Sequence, residues 1–289
     1  MKGLIFVGEL SLNDVVQRVE ELPALPHVTY RVLELTSRPD TTLSQLTEII
    51  TQDQVLTAKV LRMANSVYYG YARRIYGITE ALLILGFSTV RNLVMAASVY
   101  NVMDREVQGY FLPRGELWKH SMSTALIARS LAKKTGYELP DQAFVAGLLH
   151  DMGKIILNTY MNQKFEDVIS KVNTENIPFM AAERQILGFD HAMMGSRVAE
   201  KWNLPSELVE AIANHHTPAL AKHNPKLTSL VHVADAASMS MGIGLGGDGL
   251  LYPFDGFATE LLGMTSELIE ETIAEIADSL IDAETMIEN

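Results

Sequence analysis

The sequence contains no cysteine, and this absence limits the chemistry that the chain can carry. Without thiols it can form no disulfide framework and no thiolate metal site, so His, Asp and Glu are the expected ligands of any bound metal ion. The lack of cysteine also agrees with a reducing compartment. We therefore expect a cytoplasmic protein.

Long uninterrupted apolar runs are lacking as well. The segment Leu4-Ile5-Phe6-Val7 is shorter than the core of a signal peptide, and the longest apolar region, residues 81–103, carries Arg91 and Asn92 in its middle. The sequence therefore predicts neither export nor a membrane span. With 289 residues and 48% hydrophobic content, the chain can bury the core of one large or two modest domains, which is typical of a soluble globular protein.

Basic residues are missing from the last part of the chain. The segment after Lys226 holds twelve acids and no Lys or Arg, so it carries the whole formal charge of -12. Nonspecific binding of nucleic acid needs a net basic surface, and the composition argues against it. Arg73 and Arg74 lie among tyrosines and can stack on a nucleotide, but such a segment more often forms a rim that packs one lobe on another.

Strand patterns are nearly absent, and the apolar residues recur at helical spacing, which predicts an all-α fold. In the first part of the chain we expect a helix capped by Ser11 or Asn13 and four more around residues 32–35, 42–50, 55–63 and 78–85. Residues 109–115 form a predicted connector. Further helices are expected from Glu116 to Gly136, around 182–186, from 191, from 206, from 227, and from a cap at Thr265 or Ser266.

One stretch of strongly polar side chains interrupts an apolar run. Residues 143–157 read AFVAGLLHDMGKIIL, the pattern of a helix buried on most sides, so we expect His150, Asp151 and Lys154 to face the interior. Buried charges need partners, and an imidazole beside a carboxylate can bind a divalent cation. Lys154, one turn later, can hold a phosphate oxygen. For an isolated pair, the alternative is a histidine and an aspartate satisfied by hydrogen bonds.

Other candidate ligands lie on separate predicted helices. Glu116 and His120 are four residues apart and share one helical face, while His191 falls in phase with inward apolar residues. Adjacent histidines at the end of a helix can bind two ions, or one ion and a substrate. The full candidate set is Glu116, His120, His150, Asp151, His191, His215, His216 and Asp235.

We expect six of these residues to converge on one pocket. Glu116 and His216 begin or end helices and should lie at its rim, and Lys154 should point into its mouth. The remaining histidines, His27, His223 and His232, match no motif and are predicted at the surface or in loops.

Several separated motifs also resemble a known family. The order LPALP, then IITQDQVLTAKVLRMANSVYYG, then ITEALLILG, followed by a half that carries the His-Asp pair, resembles the HDOD proteins, a bacterial signalling branch of the HD superfamily. The similarity runs from about Leu22 to about Ser240. The superfamily places its metal ligands in the pattern H, then HD, then D, and its multi-metal members add intermediate histidines.

The resemblance suggests how the chain is organised. We expect an N-terminal helical HDOD lobe at residues 11–108 and an HD-type metal lobe at residues 109–241. Residues 242–289 should form a flexible glycine-rich linker, at residues 242–249, and then an acidic helix packed on the body.

Two functions are consistent with this resemblance. The first is a signalling or regulatory module that acts on a partner protein and retains an HD-type metal site. This site would hold one to three divalent ions, and the sequence does not distinguish among Fe, Mn, Mg, Zn and Ni. The second is a metal-dependent phosphohydrolase, in which Asp151 bridges two ions and Lys154 steadies an oxygen of a phosphate-containing substrate.

The related cyclic di-GMP phosphodiesterases add a Glu after the histidine pair and a Gly-Tyr-Pro motif nearby. Here Thr217-Pro218 follows His216, which argues against activity on cyclic di-GMP. A nucleic-acid-binding module ranks last.

Overall fold

The computed structural model describes residues 25–71, 73–160, 164–247 and 253–283. Within these residues the fold is all-α, as predicted, and the single extended pairing is an isolated bridge between Val107 and Leu112. The helices are α1 (His27–Thr36), α2 (Leu43–Thr51), α3 (Gln54–Ala64), α4 (Ile78–Leu85), α5 (Phe87–Met103), α6 (Glu116–Lys134), α7 (Pro140–Leu149), α8 (Gly153–Tyr160), α9 (Phe165–Glu175), α10 (Phe179–Leu187), α11 (His191–Lys201), α12 (Ser206–Asn214), α13 (Pro225–Ser240), α14 (Gly256–Leu262) and α15 (Ser266–Ala283). The helix predicted from Ser11 or Asn13 lies outside the described residues.

Side-chain caps set the starts of the early helices. Thr42 accepts the backbone N–H of Gln45, whose side chain accepts the backbone N–H of Thr42 in return. Asp53 caps α3 by accepting the backbone N–H of Leu56. These contacts satisfy donors that the first turn of a helix leaves without partners. The helix predicted to start within residues 41–44 begins at Leu43, with Thr42 as its N-cap.

The second half of the chain forms one continuous core with the first. Helix α6 packs along α7 and α13, α11 packs on α8 and α12, and α5 connects the N-terminal helices to α6 and α7. None of the helices in the described residues has the length and apolar character that crossing a bilayer requires.

The predicted single helix over residues 143–157 is wrong. Helix α7 ends at Leu149, the chain turns through residues 150–152, and α8 begins at Gly153. A Cβ atom on Gly153 would lie 1.8 Å from the carbonyl oxygen of His191 and 2.6 Å from the backbone nitrogen of Gly195. The start of α8 therefore lies directly against the backbone of α11. The turn redirects the chain so that this close contact forms.

The predicted flexible linker is also wrong for residues 242–247, while residues 248–249 lie outside the described part. Gly247 donates its backbone N–H to the carbonyl of Tyr110 at 2.7 Å. Gly244 has a φ of +66°, and a Cβ atom there would lie 2.4 Å from Cβ of His120. The segment is thus a glycine-rich strap, residues 241–247, packed onto the metal-ligand candidate His120.

The acidic C-terminal helix packs on the body. Ile269, Thr272 and Ile276 are buried on one face of α15, which lies against α6 and the short helical turn at residues 67–69. Thr265 caps this helix by accepting the backbone N–H of Leu268 at 3.2 Å.

Candidate metal centre

Six polar side chains from separate parts of the chain meet in the interior. None is more than 2% exposed. They are His120 on α6, His150 and Asp151 in the turn after α7, His191 at the start of α11, His215 at the end of α12, and Asp235 on α13. The structure therefore brings together the six inner positions that the sequence singles out.

Asp151 lies at the centre of this group. Its Oδ2 atom is 3.6 Å from Nε2 of His120 and 3.5 Å from Nε2 of His150. Its Oδ1 atom is 3.5 Å from Nε2 of His191 and 3.9 Å from Nε2 of His215. The two carboxylate oxygens thus face two different pairs of histidines.

Asp235 and His216 add one further side chain to each of the two histidine pairs around Asp151. Oδ1 of Asp235 lies 2.9 Å from Nε2 of His120, and Nε2 of His216 lies 2.9 Å from Nε2 of His191. The side chain of His216 is only 5% exposed, so it lies within the cluster and not at the predicted rim. Three groups of potential ligands have their ligand atoms within 4.8 Å of one another: His191, His215 and His216; His120, His150 and Asp235; and His150, Asp151 and His215.

Contacts outside the cluster fix the orientation of the imidazole rings. Nδ1 of His150 lies 2.7 Å from the carbonyl oxygen of Gly147, and Nδ1 of His215 lies 2.7 Å from the carbonyl oxygen of Ile212. Nδ1 of His120 lies 3.2 Å from the Ile243 carbonyl, which belongs to the glycine-rich strap. A carbonyl oxygen only accepts hydrogen bonds, so each Nδ1 donates. In the neutral ring, Nε2 then keeps its lone pair and directs it into the cluster.

Glu183 plays the same part for His191, and sequence reasoning did not assign it this role. Its Oε2 atom lies 2.7 Å from Nδ1 of His191 and accepts the backbone N–H of the same residue at 3.1 Å. Tyr110 donates its hydroxyl to the other oxygen of Glu183. A signal was present in the sequence, because Glu183 occupies the apolar stripe of α10 with Phe179 and Leu187.

His232 was predicted at the surface or in a loop, and this is wrong. It is 3% exposed, donates from Nδ1 to the carbonyl of His215 at 2.8 Å, and accepts the backbone N–H of Asp255 at 2.9 Å. Helix α13 is buried on nearly all sides, so its apolar pattern has no polar face from which the phase of His232 can be read. His27 and His223 are exposed, as predicted.

Glu116 and Lys154 are the two remaining candidate residues of the site. The carboxylate of Glu116 pairs with Nζ of Lys119 at 3.0 Å, its side chain is 30% exposed, and it belongs to none of the three ligand groups. Lys154 is 4% exposed, with Nζ 2.7 Å from Oδ2 of Asp151. Its ammonium group therefore lies against the central carboxylate instead of in an open mouth.

The charges of the cluster shift several pKa values. Burial would raise the pKa of Asp151, but the charges of Lys154 and the histidines outweigh it and hold that pKa well below its ordinary value. Burial lowers the pKa of His215 to about 3, helped by His150 and His191. Burial opposes protonation of His191 too, yet the carboxylate of Glu183 raises its pKa to about 9. Without a bound cation, His191 thus carries a proton at neutral pH and His215 does not.

The donor atoms fit a divalent cation. Nε2 of His150, Nε2 of His215 and Oδ1 of Asp151 are buried and make no hydrogen bond within the described part of the chain. Each such buried group costs about 1–3 kcal/mol when nothing binds it. Imidazole nitrogen and carboxylate oxygen are ligands that Zn, Fe, Mn and Ni accept. The 2.9 Å between Nε2 of His191 and Nε2 of His216 is close to the separation of two nitrogens bound to one ion, about 3 Å for bonds of about 2.0–2.1 Å.

A curated relative of this chain carries no functional name. It is an uncharacterised protein of Treponema pallidum (strain Nichols), 27% identical over 203 residues, a match that covers 70% of this chain and 39% of that protein. The chain therefore spans about two fifths of that relative's length.

Two solved structures have the same fold over almost their whole length. An HDOD domain protein of unknown function from Geobacter sulfurreducens is 26% identical, with a TM-score of 0.74 over 96% of this chain and 99% of that one. A protein of Shewanella amazonensis SB2B, provisionally named a phosphohydrolase, is 26% identical, with a TM-score of 0.75 over 94% of this chain and 97% of that one. The HDOD domain family model matches residues 22–218, and the chain belongs to the HDOD family of the HD superfamily.

Proposed function

We propose that the chain is a signal-transduction module of the HDOD family whose HD half retains a divalent-metal centre. One observation carries the proposal: the imidazole rings are held from outside by acceptors at Nδ1, so that Nε2 of each ring is directed at Asp151. Metal-binding histidines are commonly fixed in this way, because the outer hydrogen bond sets the tautomer and the ring orientation.

The two sides of Asp151 suggest a site for two ions. On one side, Oδ2 shares its surroundings with His120, His150 and Asp235. On the other side, Oδ1 is near His191 and His215, and His191 in turn contacts His216. Bound divalent ions would supply positive charge able to polarise a phosphate or to activate a water molecule.

The burial of the centre favours a regulatory role. Its ligand candidates come from α6, the turn after α7, α11, α12 and α13, so metal binding would stabilise the packing of all these elements together. An element whose packing depends on a bound ion can present a different surface to a partner protein when the ion is absent. We therefore expect a signalling partner.

A metal-dependent phosphohydrolase is the second candidate, and Lys154 is the observation that favours it. Its ammonium group lies 2.7 Å from Oδ2 of Asp151 and would hold a nonbridging oxygen of a phosphoester or nucleotide that reached the central carboxylate. The solved relative from Shewanella that is provisionally named a phosphohydrolase supports the same reaction class.

Metal analysis of protein purified without chelator tests the proposal. Wild type and His27→Gln, which alters an exposed histidine, should each contain at least one equivalent of a transition metal, and Asp151→Asn should contain none. Wild-type protein that stays metal-free after anaerobic loading with Fe²⁺, Mn²⁺ or Zn²⁺ would contradict it.

The loaded protein then separates the two candidates. Turnover of p-nitrophenyl phosphate, bis(p-nitrophenyl) phosphate or a nucleotide that disappears in Lys154→Met, with the metal content unchanged, supports the hydrolase. Full metal content without turnover supports the regulatory module.

A further inference from the structure

A cavity separate from the candidate metal centre lies where the N-terminal helices meet the HD half. Its volume is about 590 Å³, and none of the candidate metal ligands lines it. Its walls come from α1, α5, α7, α12 and the loop after α11. The volume falls within the range of about 300–1,000 Å³ that is usual for small-molecule sites, which often lie between domains.

The walls of this cavity are largely apolar, and several of the lining side chains are buried. Met95, Val145, Trp202 and Leu208 line it, and each is less than 9% exposed. Leu33 adds a half-buried side chain from α1. Such a lining favours a ligand with an apolar body, since burial of apolar surface contributes about 25 cal/mol per Å².

One charged hydrogen-bond donor at the cavity has no acceptor. The guanidinium of Arg91 is half-buried and, among the described residues, makes no hydrogen bond or ion pair. Arg129 provides a contrast, since its guanidinium is bonded to Asp141 and Tyr68. A half-buried guanidinium without an acceptor is costly, so the site favours an oxyanion.

The acids near the cavity limit the charge of that ligand. Oδ1 of Asp141 accepts hydrogen bonds from Arg129 and Asn92. Glu34 and Glu138 are exposed at the edge of the same cavity, and Glu34 is paired with Arg31 and Arg38. The negative charges of these three acids repel a phosphate of charge -2 more than a single carboxylate.

We propose that this cavity binds a small molecule that carries one carboxylate on an apolar body. The carboxylate lies against Arg91, whose guanidinium offers paired N–H groups that match the two carboxylate oxygens. The body lies against Trp202, Met95 and Leu208. This site is separate from the metal centre and stands whether or not the chain binds metal.

Calorimetric titration with three probes of equal chain length tests the site: octanoate, octyl phosphate and octanol. Wild type should bind octanoate about tenfold more tightly than octanol, as expected when a charged hydrogen-bonded pair forms. It should bind octyl phosphate more weakly than octanoate. Arg91→Gln should lose about tenfold in affinity for octanoate and keep its affinity for octanol. Arg105→Gln, which removes the same charge at an exposed position just beyond α5, should behave as wild type.

A second variant tests the location independently of charge. Leu33→Trp should fill part of the cavity and weaken the binding of both octanoate and octanol, while the thermal unfolding transition by circular dichroism stays near that of wild type. Three results would each overturn the proposal: no binding of octanoate at millimolar concentration, equal affinity of wild type and Arg91→Gln for octanoate, or equal affinity of wild type for octanoate and octanol. Tighter binding of octyl phosphate than of octanoate would overturn the assignment to a carboxylate.

Discussion

Two polar clusters in this protein, one partly buried around Arg129 and one fully buried around Asp151, differ in how their hydrogen bonds are satisfied. In the first, Nε of Arg129 is 2.9 Å from Oδ1 of Asp141, one guanidinium nitrogen donates to the Tyr68 hydroxyl at 3.0 Å, and Asn92 donates to the same Asp141 oxygen at 2.9 Å. This network joins α5, α6 and α7. The charges of Arg129 and Asp141 are paired within the network, and Oδ1 of Asn92 is a single buried acceptor without a donor.

The cluster around Asp151 is different. Its outer atoms are bonded to carbonyl and carboxylate oxygens, but inner nitrogens and an oxygen point at one another without hydrogen bonds. Both clusters carry charge and both lie at least partly out of water, so neither charge nor partial burial distinguishes a binding site from a structural network. The distinguishing property is a set of lone pairs directed at a common point and left without donors.

Replacing the central carboxylate of Asp151 should cause the largest loss of metal affinity. Asp151→Asn should lower the affinity for Mn²⁺ or Zn²⁺ by more than about 1,000-fold, beyond the 10–100-fold typical of losing an outer partner, because it changes the group that faces both histidine pairs. It should also abolish the rise in melting temperature that metal addition gives to wild type. Differential scanning calorimetry with and without metal measures both. A rise of equal size in Asp151→Asn would show that the ion binds elsewhere.

Breaking the Arg129 network should instead reduce stability alone. Arg129→Met should lower the free energy of unfolding by about 2–3 kcal/mol, less than for a fully buried pair, because Asp141 is 24% exposed and water partly solvates it. Urea denaturation measures this loss. Metal affinity of the folded variant should stay within about twofold of wild type, as expected for separate sites. A large loss of metal affinity would mean that the two clusters are coupled.

Removal of an outer partner should have an intermediate effect on metal binding. Glu183→Gln keeps the shape but weakens the acceptor for Nδ1 of His191, and we expect the metal affinity to fall about 10–100-fold. Glu175→Gln, which alters an exposed acid paired with Lys171, is the matched control and should leave the affinity unchanged. Competition with a fluorescent chelator measures both variants. Equal affinities would exclude Glu183 as a positioning residue.

The most gradual effect on metal affinity concerns pH, because it amounts to about tenfold for each pH unit. Since the pKa of His191 is raised to about 9, the metal-free ring must lose a proton when an ion binds, so affinity should rise about tenfold per pH unit between pH 7 and 9. For the metal-free chain the sign is opposite: the stability that this raised pKa contributes is full below the ordinary value of 6.5 and is lost as pH rises through about 9. Glu183→Gln should flatten both dependences. Proton release on metal addition, measured in two buffers of different ionisation enthalpy, checks the pH dependence of the metal affinity.

The helices and the ligand candidates could be predicted because each leaves a local signal. Thr42 and its neighbours form a capping pattern, and His191 falls in phase with an apolar stripe. His232 could not be placed in this way, since α13 is buried on nearly every side. The bond between Tyr110 and Glu183 joins residues 73 positions apart and follows no periodicity.

The turn at residues 150–152 was missed for a related reason. The apolar run from 143 to 157 continues through it, and composition alone does not reveal that Gly153 must meet the backbone of α11. Only the packed structure contains that constraint, because a glycine in a helical pattern is read first as a mild loss of helix propensity.

The glycine-rich strap has a kinetic consequence for a bound ion. Its Ile243 carbonyl holds His120, its Gly244 lies against the same side chain, and its Gly247 is tied to Tyr110. Any ion held by His120 would therefore exchange with solvent at a rate limited by local opening of this strap, whatever the strength of the bonds to the ligands. Even with modest equilibrium affinity, the chain would then keep an ion bound during folding, so its metal content would record which ion was present when it folded.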